Sequence, residues 1–396
     1  MILHIFNPEH DIALATNVAR FTAPHAGRQL RADLGFLPAL WAADGDMVLV
    51  DDVEAALEAV RHVRRLAADV VFVSPNDVKS LPLSVEVAPW GWDQGVAEQL
   101  RLMGFPAMVP PAEQLDAIRR LSSRQWAAEH LLPVLLNVSQ GLTGDARYVD
   151  SFDVLQHMMQ ANLTSEPEAG WGGAVLKAPW SSSGRGVRYV HNRDHRQHNA
   201  AWARNVIQRQ GGIMLEPYYN KVKDFGMEFQ ALPDGRVEYC GLSVFQTVNG
   251  AYTGSVIATE RAKREMLGRY IGMQLLDAIR DTIYTTMSNA LRGIYSGPFG
   301  VDMMIVADLQ PRNVSTSPLD PQGCFRNEME KELSTSQHFL LHPCVELNLR
   351  RTMGHVALSI ACDDTMPQRL MRIDYTNRYH LRIIDTNENV LNGLIL

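Results

Sequence analysis

The stretch Val175-Leu-Lys-Ala-Pro-Trp-Ser-Ser-Ser-Gly-Arg-Gly-Val187 is one of the two most informative parts of the chain. An apolar run that carries Lys177 leads into a loop of serines and glycines, and β-type residues follow the loop. Backbone N–H groups and hydroxyls of such a loop can surround anionic oxygens, and the lysine adds a fixed positive charge. A P-loop would place its lysine after the glycines and continue into a helix. The stretch therefore predicts a phosphate site without a Walker lysine.

A plain β-hairpin is the alternative interpretation of this stretch. The loop Ser-Ser-Ser-Gly-Arg-Gly is longer and more flexible than a two-residue hairpin turn requires, which favours the phosphate site. Lys177 by itself could equally be a surface lysine at a strand end.

A second motif, Glu346-Leu-Asn348-Leu-Arg350, lies far downstream. Glu346 and Asn348 are two residues apart on a predicted strand, so their side chains project from the same face. Mg²⁺ prefers oxygen ligands and usually keeps water and phosphate oxygens in its shell. The motif therefore predicts a place for the metal ion that accompanies a nucleotide, although an isolated Glu-x-Asn pair is common.

Composition describes an ordinary globular protein of two or three domains. The chain has 396 residues, of which 46% are hydrophobic and 20% charged. Its formal net charge is −7, and no clustered basic surface is evident, so we expect no nucleic-acid partner. No apolar run is long enough to cross a membrane, and the N-terminus does not resemble a secretory signal.

The cysteines predict the redox compartment. They are widely scattered and form no CxxC pair, which indicates reduced, mostly buried thiols in a cytoplasmic protein. The four are Cys240, Cys324, Cys344 and Cys362.

The first third of the chain alternates between strand and helix patterns, which predicts a parallel α/β domain. The helical periods cover Val53–Ala67 and Gln94–Met103. A helical pair follows the diproline at 110–111, with Ser122 as a cap. The predicted strands are Ile2–Phe6, Met47–Val50, Val70–Val73 and Ala107–Val109, and the predicted helical pair is Ala112–Leu121 and Ser123–Leu132.

The rest of the chain shows a mixed pattern. A long helix is predicted over Glu260–Arg292, and a polar stretch runs from Gln310 to Gln337. Further strands are predicted at Ile213–Glu216, Gly226–Leu232, Val237–Val248, Gly300–Val306 and Cys344–Leu349, with a turn at Pro233-Asp234-Gly235.

In their order and spacing, these motifs resemble the ATP-grasp superfamily. The features that carry the resemblance are Lys177 before the Ser/Gly loop, Leu215-Glu216-Pro217-Tyr218, Asp302 on an apolar strand, and the Glu346 motif. The stretch from Glu346 to His355 is especially similar to the metal-and-substrate strand of the carboxylate–amine ligases and purine-biosynthetic carboxylases. The resemblance spans about residues 122–360.

The resemblance implies an α/β N-terminal domain over residues 1–121, followed by an α+β ATP-grasp fold over 122–396. Two lobes would grip ATP. The glycine-loop lobe would cover about residues 140–215 and the metal-site lobe about residues 216–396.

The resemblance also implies roles for individual residues. Lys177 would contact phosphate, and Arg350 would face the transferred phosphoryl group or the acyl phosphate; these two are the catalytic candidates. Asp302, Glu346 and Asn348 would hold one or two Mg²⁺ ions. The loop from Ser181 to Gly186 would be a mobile lid over the β- and γ-phosphates. The other implied nucleotide contacts are Arg124, Ser181, Ser182, Ser183, Gly184, Gly186, Glu216 at the hinge, Pro217 and Tyr218 at the adenine, and Asp224 at the ribose.

The implied activity is an ADP-forming ligase. Mg-ATP would phosphorylate a substrate carboxylate, and an amine would attack the acyl phosphate to give an amide. The partners would be small-molecule acids and amines, and a homo-oligomer is compatible with the family. A kinase that phosphorylates a hydroxyl and a non-catalytic nucleotide-binding protein remain alternatives, because function resides in the acceptor site.

Two features depart from the family pattern. Many ATP-grasp enzymes have a lysine near the start of the region, and the best matching position here is Arg124, which offers a planar fork in place of a point donor. A solvated residue in the first turn of a helix is an equal alternative for it. The polar stretch 310–337 between Asp302 and Glu346 is an insertion, interpreted as a substrate-covering loop, an oligomer contact or tolerated surface.

Other polar residues are weaker candidates. The run from Asn7 to Asp11 follows the first strand, where loops of parallel sheets meet ligands, although an Asn cap with Pro at the first helical position explains part of it. Acceptor contacts are also considered for Gln246, Asn249, Tyr252 and His355, whereas His191, His195 and His198 are interpreted as a solvated stretch and not as a zinc site.

Overall fold

A computed structural model describes residues 1–79, 85–162, 173–181, 186–190, 193–248, 250–308, 338–360 and 362–386. At residues 162, 193–197 and 338 the description is limited to the backbone.

The N-terminal part of the chain forms a parallel sheet with helices around it. Its elements are β1 (Ile2–Ile5), α1 (His10–Thr16), α2 (His25–Leu34), β2 (Met47–Leu49), α3 (Val53–Val60), β3 (Val71–Val73), α4 (Pro75–Val78), β4 (Glu86–Pro89) and α5 (Gln94–Met103). The strand order is β3-β2-β1-β4, and every neighbouring pair is parallel. The whole of β2 is buried, as expected for a strand covered on both faces. The predicted parallel α/β domain is confirmed.

One predicted strand of this sheet is wrong. Pro106–Met108 forms a 3₁₀ turn where a strand was expected at Ala107–Val109. The fourth strand is Glu86–Pro89, which pairs with β1. Proline has no N–H group to donate to a ladder, so a prolyl residue starts a 3₁₀ turn readily and is tolerated in a strand only at an edge, where β4 lies.

A helical segment follows this sheet, with the bounds α6 (Ala112–Leu121), α7 (Arg124–Trp126), a π-helical turn (Ala127–Leu131) and α8 (Leu132–Leu136). The predicted helical pair is therefore present. The predicted cap at Ser122 is wrong, since Ser122 ends α6 and its hydroxyl donates to the Ile118 carbonyl. Ser123 is the residue whose hydroxyl accepts from the Gln125 amide at the start of α7, at 3.1 Å.

A small antiparallel sheet carries the glycine-rich stretch. Its elements are β5 (Arg147–Val149), α9 (Phe152–Asn162), β6 (Ala174–Lys177), β7 (Val187–Val190), α10 (Arg193–Gln210) and β8 (Ile213–Pro217), with the strand order β5-β8-β6-β7. Ala174 and Leu176 pack in a core with α9 and α10. Because side chains alternate along a strand, Val175 and Lys177 point to the opposite face.

The large sheet has seven antiparallel strands in the order β13-β12-β9-β10-β11-β14-β15. Its elements are β9 (Lys221–Ala231), β10 (Val237–Val248), β11 (Ala251–Ile257), α11 (Glu260–Gly268), α12 (Met273–Leu291), β12 (Gly297–Asp308), β13 (His338–Asn348), α13 (Met353–Ser359), β14 (Arg369–Tyr375) and β15 (Tyr379–Asp385). One face of β9 buries Phe225, Met227 and Phe229 against α12, so Asp224, Gly226 and Glu228 face the other way.

The single helix predicted over Glu260–Arg292 is two helices. α11 ends at Gly268, and α12 begins after Gly272. Glycine is a poor helix former, and two glycines four residues apart favour the break. Arg264 of α11 and Asp277 of α12 join the two helices through a pair of 2.9 Å hydrogen bonds.

Two further observations concern composition. Cys240, Cys344 and Cys362 form no disulfide, as the sequence predicts, but only Cys344 of these three is buried, so the expectation of mostly buried thiols is not met among the described cysteines; Cys324 lies outside the described residues. Among the helices of the described segments, none combines the length and the apolar character that crossing a bilayer requires.

Candidate active site

A cavity of about 530 Å³ collects side chains from both antiparallel sheets. β6, β7 and β8 supply one wall, and β9, β10, β12 and β13 supply the other. The predicted site residues that line it are Arg124, Lys177, Glu216, Pro217, Tyr218, Asp224, Asp302, Glu346, Asn348 and Arg350. Residues that are distant in the sequence therefore meet around one space.

The phosphate loop is described only at its ends. Ser182, Ser183 and Gly184 lie outside the described residues. The Ser181 hydroxyl accepts a hydrogen bond of 2.8 Å from Nη1 of Arg124, and the Gly186 carbonyl accepts from the Ala178 amide. A Cβ atom at position 186 would overlap the Ser181 side chain, so this position requires glycine.

Lys177 and Glu216 form an ion pair on neighbouring strands. Nζ of Lys177 lies 2.6 Å from Oε2 of Glu216, and both side chains are at most one-tenth exposed. β6 and β8 are antiparallel neighbours, and their pairing fixes this contact. The lysine charge is thereby held at the cavity wall, where a phosphate oxygen of a bound nucleotide would compete with the carboxylate.

Arg124 connects the start of the ATP-grasp-like region to the metal motif. Its Nη2 lies 2.6 Å from Oε1 of Glu346, and its Nη1 donates to the Ala178 carbonyl at 2.7 Å. Arg124 is 7% exposed, so it is not the solvated residue of the alternative interpretation. Its Nε is buried and has no partner among the described residues.

Asp302 and Glu346 lie directly opposite each other on β12 and β13. The Asn348 amide donates to Oδ2 of Asp302 at 3.0 Å, which leaves the amide oxygen of Asn348 as an acceptor. Burial, and then the negative charges of Glu346 and Glu228, raise the pKa of Asp302 well above its ordinary value. A divalent cation would relieve this repulsion.

This donor set fits Mg²⁺. Two carboxylates and one amide oxygen are hard ligands, and phosphate oxygens and water would complete the shell. Within the described segments no cluster of three His, Cys, Asp or Glu side chains forms a cage for a metal.

Arg350 is fully engaged with the N-terminal part of the chain. Its Nε and Nη2 bind the Asp11 carboxylate, at 3.1 Å to Oδ1 and 2.9 Å to Oδ2, and Nη1 donates to the Arg351 carbonyl. Burial is the largest effect and acts to raise the pKa of Asp11, but the charge of Arg350, the charge of His10, the hydrogen bonds from Arg350 and the charge of Arg124 together outweigh it, and the pKa lies below the ordinary value. The first turn of α1 thus reaches the cavity indirectly, through the contact of Asp11 with Arg350.

Asn7 and His10, from the same run as Asp11, both bind Asp93. The Asn7 amide donates to Asp93 at 3.0 Å, and Nδ1 of His10 lies 3.1 Å from the same carboxylate. α1 begins at His10 and has Glu9 in the cap position, so the alternative of an Asn7 cap is wrong. Asn7 and His10 are buried and are not among the cavity-lining residues.

Two tyrosines and an acidic residue also line the cavity. The rings of Tyr189 and Tyr218 pack edge to face at 5.9 Å between centroids, and Val175 lines the cavity as well. Asp224 accepts from Lys221 at 2.5 Å and from the Thr247 hydroxyl at 2.6 Å. A carboxylate held in this way at the mouth of the site can receive ribose hydroxyls.

Solved structures with this architecture include N5-carboxyaminoimidazole synthetase from Staphylococcus aureus complexed with ADP. That likeness has a TM-score of 0.52 and 11% identity over 99% of this chain and 95% of that one. The biotin carboxylase domain of the Hydrogenobacter thermophilus 2-oxoglutarate carboxylase gives a TM-score of 0.46 and 14% identity over 94% and 74% of the two chains. Phosphoribosylamine–glycine ligase from Thermotoga maritima gives 0.46 and 10% over 94% and 80%. No protein-family model and no curated protein sequence matches the chain.

The chain has the ATP-grasp fold. Side chains of its small and large antiparallel sheets both line the cavity. The predicted fold, an α/β N-terminal domain followed by an ATP-grasp fold, is confirmed. The assignment of roles to single residues stays a prediction, as do the domain boundaries.

Sequence reasoning missed Glu228, Ser243 and Thr352, which line the cavity beyond the predicted metal ligands. Ser243 and Thr352 donate to the Glu228 carboxylate at 2.7 and 2.8 Å. A signal for Glu228 was present, because Asp224, Gly226 and Glu228 form a row on one face of a strand. Its partners are too distant in sequence to be found in this way.

The remaining weak candidates differ in whether they line the cavity. Tyr252 lines the cavity, whereas Gln246 does not. His355 lies in the first turn of α13 and is buried behind Glu228. Asn249, His191, the His195 side chain and the insertion 310–337 lie outside the described residues, and His198 is exposed.

Proposed function

We propose that the protein is an ATP-dependent, ADP-forming ligase that joins a carboxylate to an amine through an acyl phosphate. The observation that carries the proposal is the meeting of Lys177, Arg124, Asp302 and Glu346 around one cavity. The synthetase likeness supports the fold on which this proposal rests. The activity and its substrates remain the proposal.

The cations of the site would bind the triphosphate. Lys177 and Arg124 each hold a carboxylate now, and phosphate oxygens would take over these charge-assisted hydrogen bonds. Phosphoryl transfer is accelerated mainly by positioning and by neutralising charge on the transferred group, which buried cations provide. Asp11 fixes the plane of Arg350 beside this position.

Asp302, Glu346 and Asn348 would hold Mg²⁺, which supplies charge neutralisation and orientation of the phosphates. Release of Glu346 from Arg124 would give the carboxylate to the metal and the guanidinium to the nucleotide. The same exchange would lower the repulsion that raises the pKa of Asp302. Metal and nucleotide should therefore bind together. We also propose that the metal ion is magnesium and that the protein is located in the cytoplasm.

The test is incubation of the protein with Mg-ATP and a panel of carboxylic acids, with hydroxylamine present to trap an acyl phosphate. Formation of ADP, phosphate and a hydroxamate supports the ligase. A stable phosphorylated product with no hydroxamate would identify a kinase instead. Nucleotide binding with no turnover on any acid or alcohol would identify a binding protein.

A further inference from the structure

Two glycines and the hydroxyl groups of Ser243 and Thr352 surround the Glu228 carboxylate beside the cavity. A Cβ atom at Gly354 would overlap Oε1 of Glu228, and a Cβ atom at Gly300 would overlap Oε2. The two glycines therefore reserve the space for the carboxylate. Glu228 is 1% exposed and lines the cavity.

The neighbours of His355 define its neutral form. Its Nε2 lies 3.1 Å from the Phe229 carbonyl, which can only accept, so Nε2 carries a hydrogen. The Thr352 backbone N–H donates to Nδ1 at 3.2 Å, so Nδ1 presents its lone pair. This is the assignment that the hydrogen-bond partners require.

In this form, no hydrogen of His355 or Glu228 lies between the facing atoms of the two side chains. Nδ1 of His355 lies 3.0 Å from Oε2 of Glu228, so two acceptors face each other. The Thr352 hydroxyl is 2.8 Å from that oxygen and 3.0 Å from Nδ1, and it can donate to only one of them. An added proton on Nδ1 would convert the contact into a buried ion pair. The cluster is thus a ready acceptor for one proton next to the cavity.

We infer that Glu228 takes a proton from the acceptor, which is a primary amine that arrives as an ammonium ion, and that His355 stores the proton. This inference rests on the ligase function proposed above and names its acceptor class and its base. Glu228 would touch the ammonium group. His355 acts through Glu228 and is a proton-storing residue that does not contact the substrate.

Protons and electron pairs balance in the proposed step. One ammonium proton passes to the Glu228 carboxylate and on to Nδ1 of His355, which leaves a neutral amine, a carboxylate and an imidazolium. The amine nitrogen then forms the C–N bond as the C–O bond to phosphate breaks. The second N–H proton leaves with the phosphate dianion, and His355 returns its proton to water after product release.

Glu228→Gln and His355→Gln test the inference. The second substitution keeps an amide N–H for the Phe229 carbonyl while it removes the basic nitrogen. Hydroxylamine is neutral near pH 7 and needs no base, so hydroxamate formation from Mg-ATP and the acid found above should fall far less in both variants than amide formation does. Amide formation with alkylamine probes such as methylamine and ethylamine should fall about 10²–10⁴-fold, the usual contribution of a general base.

The pH profile supplies an independent readout. An alkylammonium group has a pKa near that of lysine, about 10.4, so raising the pH supplies neutral amine without a base. The rate of each variant should therefore rise more steeply with pH than the wild-type rate. The other titratable groups coupled to Glu228 are Asp302, Lys263, Arg351 and the Cys240 thiol, all of which both variants leave in place.

Glu238→Gln is the matched control, because Glu238 is an exposed glutamate on the adjacent strand of the same sheet. It should leave both products unchanged. Equal loss of hydroxamate and amide in folded Glu228→Gln protein would overturn the base role and leave the ligase intact. An Nδ1–H tautomer of His355, seen by ¹⁵N NMR of the wild-type protein, would also overturn it without reference to activity. Absence of hydroxamate and ADP with every acid would instead remove the ligase proposal, and this inference with it.

Discussion

At the level of single residues, the carboxylate of Glu346 is bound by the guanidinium of Arg124, and the proposed metal ion would compete for the same carboxylate. We expect Glu346→Gln to lower turnover about 100-fold or more, because a bound metal contributes several kcal/mol to phosphoryl transfer. Calorimetric titration should show weaker binding of Mg-ADP. Glu265→Gln, at an exposed pair with Arg261, is the control and should leave both quantities unchanged. Wild-type turnover in Glu346→Gln would remove the metal site.

The burial of His342 predicts that the folded protein loses stability as the pH falls. His342 is 1% exposed, both ring nitrogens lack a partner among the described residues, and burial, followed by the charge of Lys177, lowers its pKa to about 3. Between its unfolded value of 6.5 and about 3, only the unfolded chain binds a proton, so stability falls as the pH falls through this window. At pH 5 the loss should be about 2 kcal/mol.

His342→Phe should remove most of this acid loss, because the ring contact with Tyr219 is kept and the titrating group is gone. Urea denaturation at pH 7 and pH 5 measures the difference. His62→Phe, at an exposed histidine, should retain the wild-type pH dependence. Equal acid sensitivity of the wild type and His342→Phe would show that His342 is not its source.

Among single residues, the sequence pointed to those that lie in short motifs. It did not point to residues whose neighbours come from distant parts of the chain. Lys177, Asp302 and Glu346 lie in motifs whose spacing is informative. Glu228 gains its role only from two glycines and two hydroxyls that other strands and helices bring to it. The expectation that the run from Asn7 to Asp11 contacts a ligand stays a prediction, and the partner of Asp11, Arg350, could not be foreseen because it lies 339 residues away.

At the scale of elements, Asp93 both caps α5 and ties this helix to the loop after β1. Its Oδ1 accepts from the Val96 amide at 2.9 Å, and Oδ2 binds Asn7 and His10. Asp93→Ala should cost about 2–4 kcal/mol, since a cap contributes about 1 kcal/mol and the buried polar groups left unpaired cost more.

Asp52→Ala is the matched control for this prediction. Asp52 caps α3 through the Ala55 amide, but it is exposed and has no buried partner in the described hydrogen bonds. Its loss should cost only about 1 kcal/mol. Urea denaturation of the two variants compares them. Equal costs would show that the contacts with Asn7 and His10 add nothing to the cap.

Periodicity predicted most elements and failed where backbone chemistry overrides it. The strand expected at Ala107–Val109 is apolar, yet the prolines around it favour a 3₁₀ turn. The helix expected over Glu260–Arg292 keeps its apolar period through the break, so the two glycines were the only local warning. β4 was missed because an edge strand needs less apolar character.

At the scale of the whole molecule, the N-terminal sheet and the end of the large sheet share one hydrophobic core. Phe6 and Leu34 from the N-terminal part pack in the same cluster as Val356, Met371 and Leu381. α2 also contacts β15 directly, through the Asp33 carboxylate and the Tyr379 amide at 2.8 Å. The sequence predicted a boundary at 121/122 and gave no sign of this shared core, because the two halves of the cluster are hundreds of residues apart.

The shared core predicts that the two parts unfold together. We expect the full chain to show one calorimetric transition, and Met371→Ala, at a fully buried residue, to destabilise all of it by about 2–5 kcal/mol. A truncated chain that begins at Ser122 would expose Met371 and Leu381, and it should aggregate or unfold without cooperativity. Met366→Ala, at a residue that is 44% exposed, is the control and should change little. Two separate transitions, with only one shifted by Met371→Ala, would contradict a common core and restore the independent domains that the sequence suggested.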